Sequence, residues 1–290
     1  VAHKNIHLVI IDPQNDFCDL PDSHCPLLLD KPGDRQRPAL PVPGAHRDMQ
    51  RIAALIRQGG DGLRHISVTL DSHQRIDIAH PGFWETGDGA PVAAFTAIDV
   101  DDVRSGRYRP RDPAALARVT AYLDALQANG RYRHMVWPPH CEIGSWGHNV
   151  HDAVRRAYNA WEDAGARTVS HVLKGRNPWT EHYSAIQAEV PDSADETTQT
   201  NSAFVAALRR ADRVLLCGEA GSHCVKATTE HLLDHFPGGE RRKLVLLTDC
   251  ISPVSGFAAP YAAFIDTMRE LGVSTATSDE VLPELLANAQ

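Results

Sequence analysis

Asp212-Arg213-Val214-Leu215-Leu216-Cys217-Gly218-Glu219-Ala220-Gly221-Ser222-His223-Cys224-Val225 is the stretch whose reading decides the fold. Up to Leu216 it is a short apolar run of the kind that forms a buried strand. Beyond Cys224, the residues Val225, Thr228, Thr229, Leu232 and Leu233 recur at helical spacing toward Phe236. The segment is therefore a strand-to-helix turn, with Cys224 at or near the first turn of the helix. Unpaired backbone N–H groups there favour a thiolate and can hold an oxyanion. A free cysteine is equally a small buried hydrophobe, so the surrounding chain has to decide between the two.

Working outward, the same alternation recurs. Apolar runs at 6–11, 64–70, 132–137, 168–173, 212–216 and 243–248 read as strands, with a short edge strand at 273–276. Helical periodicity marks 45–58, 112–127, 150–163, 201–210, the segment after Cys224, and 257–271. Gly59-Gly60 and Asn129-Gly130 stop two of these helices, and Asp112-Pro113 starts one. Strand then helix, about six times over, predicts one doubly wound α/β domain across 1–290. The expected architecture is three-layer α/β/α, with a mostly parallel six-stranded sheet and helices on both faces. Three segments, near 18–40, 82–111 and 176–199, lack periodicity and read as loop insertions.

Chemistry-bearing residues gather at the strand ends. Asp12, Asp71 with His73, His140, Lys174 and Cys224 follow five successive predicted strands. Open α/β sheets bind ligands at that edge. Singly, each has an ordinary reading: Asp12 as a turn cap, the histidines as solvated loop residues, Lys174 as a side chain reaching solvent. Together they read as one site. Asp71 and His73 point the same way from extended backbone and can reach one cation, and His140 could complete the set. Lys174 beside the thiol would lower its pKa well below the free value of about 8.5.

Composition narrows the partners. Net charge is −8 and no run of Lys and Arg longer than three residues occurs, which argues against nucleic acid or an anionic membrane. No apolar run is long enough to span a bilayer. Val1-Ala2-His3-Lys4-Asn5 leads directly into a strand, so no signal peptide is expected. The six cysteines (18, 25, 141, 217, 224, 250) lack paired C-x-x-C spacing, so reduced thiols in a cytoplasm are expected.

These residues also match a known family. The chain resembles the isochorismatase-like cysteine hydrolases, and among them the nicotinamidase (pyrazinamidase) group. The resemblance rests on Ile11-Asp12-Pro13-Gln14-Asn15-Asp16-Phe17, Asp71-Ser72-His73, Trp137-Pro138-Pro139-His140-Cys141, Lys174-Gly175 and Gly218 through Val225. It implies a catalytic triad of Asp12, Lys174 and Cys224. It implies a divalent metal, zinc first with iron or manganese as alternatives, on Asp71, His73 and His140, with His80 as an optional fourth ligand. It further implies a cis peptide before Ala220 and an oxyanion hole from the N–H groups of Ala220 and Cys224. Phe17 and Trp137 match positions that flank the substrate ring. Ser72-His73-Gln74 departs from the Trp-His-Pro usual in nicotinamidases.

The expected activity is hydrolysis of a small carboxamide to acid and ammonia through a Cys224 thioester, by a homo-oligomer acting on a small-molecule amide. Other readings stay open. The triad could cleave another C–N bond, such as that of a carbamoyl or ureido compound or a lactam. Metal-bound water could attack while Cys224 is incidental, or the fold could serve binding alone.

Overall fold

β1 (Ile6–Ile11) is buried at every position, as a central parallel strand covered on both faces must be. The computed structural model describes residues 3–290, so Val1 and Ala2 of the N-terminal reading lie outside the described residues. After β1 come α1 (Ala45–Gly59), β2 (His65–Asp71), β3 (Trp84–Thr86), β4 (Thr96–Ile98), α2 (Val100–Arg104) and β5 (Tyr108–Pro110). The middle of the chain forms α3 (Leu116–Asn129), β6 (His134–Val136), α4 (Asp152–Gly165), β7 (Ser170–Lys174) and α5 (Ser202–Arg209). Last are β8 (Arg213–Gly218), α6 (Cys224–His235), β9 (Leu244–Leu247), α7 (Ala258–Glu270), β10 (Ser274–Ala276) and α8 (Ser278–Asn288).

Six strands form one sheet in the order β10-β9-β8-β1-β2-β7, every neighbouring pair parallel. Helices surround it; α1, α4 and α8 pack together against it. The sequence runs β1, β2, β7 to one side and β8, β9, β10 to the other. The crevice between β1 and β8 is therefore the topological switch point, where doubly wound sheets open for ligands. Ile11 pairs with Gly218 there. Gly218 has φ +109, and a Cβ on it would lie 2.0 Å from the Ile11 carbonyl oxygen, so only glycine lets β8 close on β1.

Two expectations fail in detail. The 132–137 run does not join the main sheet. β6 pairs antiparallel with β4 in a separate ribbon, and the edge strand β10 supplies the sixth strand instead. His140 thus leaves a ribbon, not a main-sheet strand, and four main-sheet strands rather than five carry the site. The reason lies in 82–111, which is not a loop. It contributes β3, β4, α2 and β5, and its Trp84, Ile98 and Val103 bury themselves with Val119, Leu123 and Val136 in a second apolar cluster. That cluster draws β6 away from the sheet. The C-terminal α8 was not anticipated, although Thr277 and Glu280 form a capping box at its start. Among the described residues, no helix is long and apolar enough to cross a membrane.

Candidate active site

Asp12 follows β1 with φ 43, a left-handed conformation that a short polar side chain tolerates. Its Oδ1 accepts from Thr69 Oγ1 at 2.5 Å, and its own N–H donates to the same hydroxyl at 3.0 Å. Lys174 closes β7 in register with Asp71 on β2. Its Nζ is 2.8 Å from Asp12 Oδ2, 3.2 Å from Asp71 Oδ1 and 3.5 Å from Cys224 Sγ, and it donates to the His182 carbonyl at 3.1 Å. One ammonium thus ties two carboxylates to the thiol. Lys174, Asp12, Asp71 and Cys224 are all buried.

Electrostatics overturn one expectation. Burial pushes the Cys224 thiol well above its ordinary range, and the Asp12 and Asp71 carboxylates add to this. Lys174 opposes them and does not prevail. The resting sulfur is therefore a thiol and needs a base. Asp12 shares the Lys174 ammonium with it, at 2.8 Å against 3.5 Å. Burial raises the Asp12 carboxyl against the pull of Lys174, which makes it a stronger base than an exposed aspartate. Burial acts against charge on Lys174 too, but Asp12 and Asp71 outweigh it and keep the ammonium protonated.

Beside the triad, His73, His80 and His140 bring one ring nitrogen each within 4.8 Å of one another, all buried. Asp71 Oδ2 is 3.0 Å from His73 Nε2 and 3.4 Å from His140 Nε2. His80 therefore belongs with the other two histidines. The 74–80 segment turns back on Asp77, which accepts from the N–H groups of Ala79 and His80. The His140 segment is pinned alongside: His73 N–H donates to the Cys141 carbonyl at 3.0 Å, and Ile143 N–H donates to that of His73 at 3.1 Å. Burial, reinforced by its neighbours His140 and His73, lowers the His80 pKa to about 2, so its imidazole is neutral. Its Nδ1 is buried without a partner. Three buried imidazoles, one with an orphaned ring nitrogen, and a carboxylate are a donor set that suits a borderline divalent cation such as zinc.

A narrow cavity opens onto Cys224 and His140. Phe17, Leu40, Trp137, Tyr183 and His223 give it aromatic and apolar walls, with Asp71 and Glu181 as polar groups. The predicted pocket residues Phe17 and Trp137 both line it, as does Ala220. The Glu219–Ala220 peptide is cis. Glu219 N–H donates to Ile11 and Gly221 N–H to Ser252, both at 2.8 Å, while the Ala220 and Cys224 N–H groups have no acceptor among the described residues. Two free donors beside the sulfur can receive an oxyanion.

Several site residues escaped the sequence reading. Gln14 grips the Asp71 backbone from both sides, Nε2 to its carbonyl and Oε1 from its N–H, both at 2.8 Å. Glu181 and Tyr183 come from the 176–199 insertion, and both accept from Trp137 Nε1 at 3.1 Å. Burial raises the Glu181 carboxyl. Leu40 arrives from the 18–40 insertion, its N–H held at 3.0 Å by the Asp16 carbonyl. The place of Gln14 inside one quoted motif, and of Glu181 shortly after Lys174-Gly175, was the only signal.

No family model matches the sequence, and no curated protein matches it. Solved structures do match over nearly the whole chain. A nicotinamidase/pyrazinamidase from Acinetobacter baumanii is 19% identical, covers 96% of this chain and 99% of its own, and superimposes with a TM-score of 0.60. A pyrazinamidase from Pyrococcus horikoshii in complex with zinc is 18% identical over 94% and 99%, with a TM-score of 0.51. An isochorismatase-like hydrolase from Alkaliphilus metalliredigens is 13% identical over 97% and 98%, with a TM-score of 0.52. The chain thus has the isochorismatase-like α/β fold.

Proposed function

We propose that this chain is a cysteine amidohydrolase that splits a small carboxamide into acid and ammonia through a Cys224 thioester. The observation that carries the proposal is the Lys174 ammonium, which joins Asp12, Asp71 and Cys224 Sγ at the mouth of an aromatic cavity. The nicotinamidases and pyrazinamidases of the same fold support this substrate class.

In the first half-reaction Asp12 takes the Cys224 proton as the sulfur attacks the carboxamide carbon. Lys174 steadies the sulfur's developing charge. The carbonyl oxygen becomes an oxyanion on the N–H groups of Ala220 and Cys224. Asp12 then passes its proton to the nitrogen, the C–N bond breaks, and ammonia leaves a thioester. In the second half, Asp12 takes a proton from water, which attacks the thioester carbon. The C–S bond breaks and Asp12 returns the proton to sulfur. A divalent cation on His73, His80, His140 and Asp71, zinc in the first instance, would supply Lewis-acid charge for orienting a ring nitrogen or water. Phe17, Trp137, Tyr183 and His223 suit a flat aromatic amide.

A second reading, hydrolysis of a carbamoyl or ureido compound, is favoured by Glu181, whose buried carboxyl on the cavity wall could accept from an extra N–H. A panel of aromatic amides, ureido compounds and lactams, assayed for released ammonia, separates the two. Cys224→Ala should abolish turnover on the substrate found. A variant that keeps most of its rate would assign the attack to metal-bound water and return Cys224 to the core. Aromatic amides left intact, with ureido compounds cleaved, would favour the second reading.

A further inference from the structure

Glu219 immediately precedes Ala220 and is fully buried on the side of the turn away from the cavity. Its Oε2 accepts from Ser252 N–H at 3.2 Å, and its Oε1 has no hydrogen-bond donor among the described residues. The carboxyl of Asp48, on α1, is gathered onto the same residue, its Oδ2 accepting from Ser252 Oγ at 2.5 Å. Two buried carboxylates held on one serine are costly to keep charged together.

We propose that Glu219 and Asp48 share one proton, and that this acid pair is the positioning device that holds the Ala220 N–H toward the cavity. The second half of the proposal rests on the thioester reading above. Glu219 Oε1 is the natural seat of the proton, since Asp48 has other donors. Ser252 Oγ gives Asp48 a hydrogen bond at 2.5 Å, and Arg51 Nη1 lies 3.3 Å from it. Ser252 is then held three ways: N–H to Glu219, hydroxyl to Asp48, and carbonyl from Gly221 N–H at 2.8 Å. Val254 N–H donates to Ser222 Oγ at 3.1 Å, bracing the same turn. A Cβ on Gly221 would come within 2.6 Å of the Tyr261 ring, so the turn sits hard against this support. Ala220 lies between two anchored N–H groups, those of Glu219 and Gly221, which leaves its own free to face the cavity.

Other groups around the pair favour the shared proton. Asp19 precedes α1 and caps it through the N–H groups of Gly44 and His46. Asp249 follows β9, and Arg51 donates to its carbonyl at 2.8 Å. The Tyr261 phenol faces the pair from α7, and the thiols of Cys18, Cys217 and Cys250 approach from the loop after β1, from β8 and from beyond β9. Arg51, the cation beside the pair among the described residues, is divided between the Asp48 carboxyl and the Asp249 carbonyl. Burial raises the Glu219 carboxyl strongly and that of Asp48 as well. At alkaline pH the shared proton is lost, the two carboxylates repel, and the turn loosens.

The first test needs no substrate. Infrared difference spectra of protein carrying labelled Glu side chains, near neutral pH, should show a protonated-carboxyl band that is lost in Glu219→Gln. A protonated-carboxyl signal unchanged by Glu219→Gln overturns the shared proton. The second test reads the role. Glu219→Ala should lower kcat for amide hydrolysis about a hundredfold. KM should hold, and Cys224 should react with iodoacetamide at the wild-type rate, because alkylation builds no oxyanion. Glu219→Gln still donates to Asp48 and accepts from Ser252, so it should recover most of that loss and erase the alkaline limb of the kcat profile. Equal losses in both variants, or an alkaline limb unchanged in Glu219→Gln, overturn the positioning role. The infrared band together with a Cys224→Ala variant that keeps most of its rate overturns the thioester reading, and the role with it, while the shared proton stands.

Discussion

Two pairs of buried carboxyls flank the 218–224 turn, and they are neutralised in different ways. On the cavity side, Asp12 and Asp71 are bridged by the Lys174 ammonium at 2.8 and 3.2 Å. On the far side, Glu219 and Asp48 meet with only part of Arg51 nearby. Desolvation makes an uncompensated buried charge expensive. A lysine answers that cost with a charge that stays put, and a proton answers it with a charge that depends on pH. The first arrangement sets the Lys174 ammonium against the burial that raises the Asp12 carboxyl, beside the sulfur whose proton it accepts. The second gives a rigid neutral support only while its proton remains.

The largest break in this comparison is to remove Lys174. Lys174→Met leaves Asp12 and Asp71 facing each other without a cation. It should cost about 3–5 kcal/mol of stability and all measurable turnover. Urea denaturation with an ammonia assay reads both, and a variant as stable as wild type would show that the ammonium is not what makes burial of the pair tolerable.

Next in size is the proposed metal group beside Asp71. His73→Ala should remove most bound zinc after equilibrium dialysis, measured by elemental analysis, while the circular dichroism spectrum stays native. Near-stoichiometric zinc in that variant would remove His73 from the ligand set. His80→Ala should also lose zinc, because its ring nitrogen belongs to the same buried group.

The smallest expected effect is in stability against pH, and here Glu219 and Asp71 should act with opposite sign. Burial raises the folded pKa of Glu219, so its contribution is complete below the ordinary carboxyl range and is lost as pH rises through the folded value. Burial would raise Asp71 as well, but His73 and Lys174 outweigh it and hold the carboxyl well below its ordinary value. Its contribution is present above that ordinary range and is lost as pH falls through the folded value. Calorimetric Tm should therefore decline on both sides of an optimum. Glu219→Gln should flatten the alkaline side alone. An alkaline slope unchanged in Glu219→Gln would mean that another group carries it.

Much of this was legible in the chain itself. A buried parallel strand must be apolar throughout, and a helix must repeat its apolar face every three to four residues. Those constraints are local, so β1, β2, β8, β9 and the helices after Gly44, Asp112 and Asn201 could be read directly. The alternation of strand and helix then carried the chemistry of Asp12, Asp71, Lys174 and Cys224 to one edge, because parallel crossovers leave all strand ends on the same side. What the chain could not disclose depends on partners distant in sequence. The pairing of β6 with β4, and not with the main sheet, follows from the apolar cluster that 82–111 builds. The return of Glu181, Tyr183 and Leu40 to the cavity is set by hydrogen bonds across the fold. The protonation of Cys224 was misread for the same reason. A helix N-terminus and a lysine are visible in sequence, whereas the desolvation that outweighs them arises only when the surrounding elements close over the sulfur.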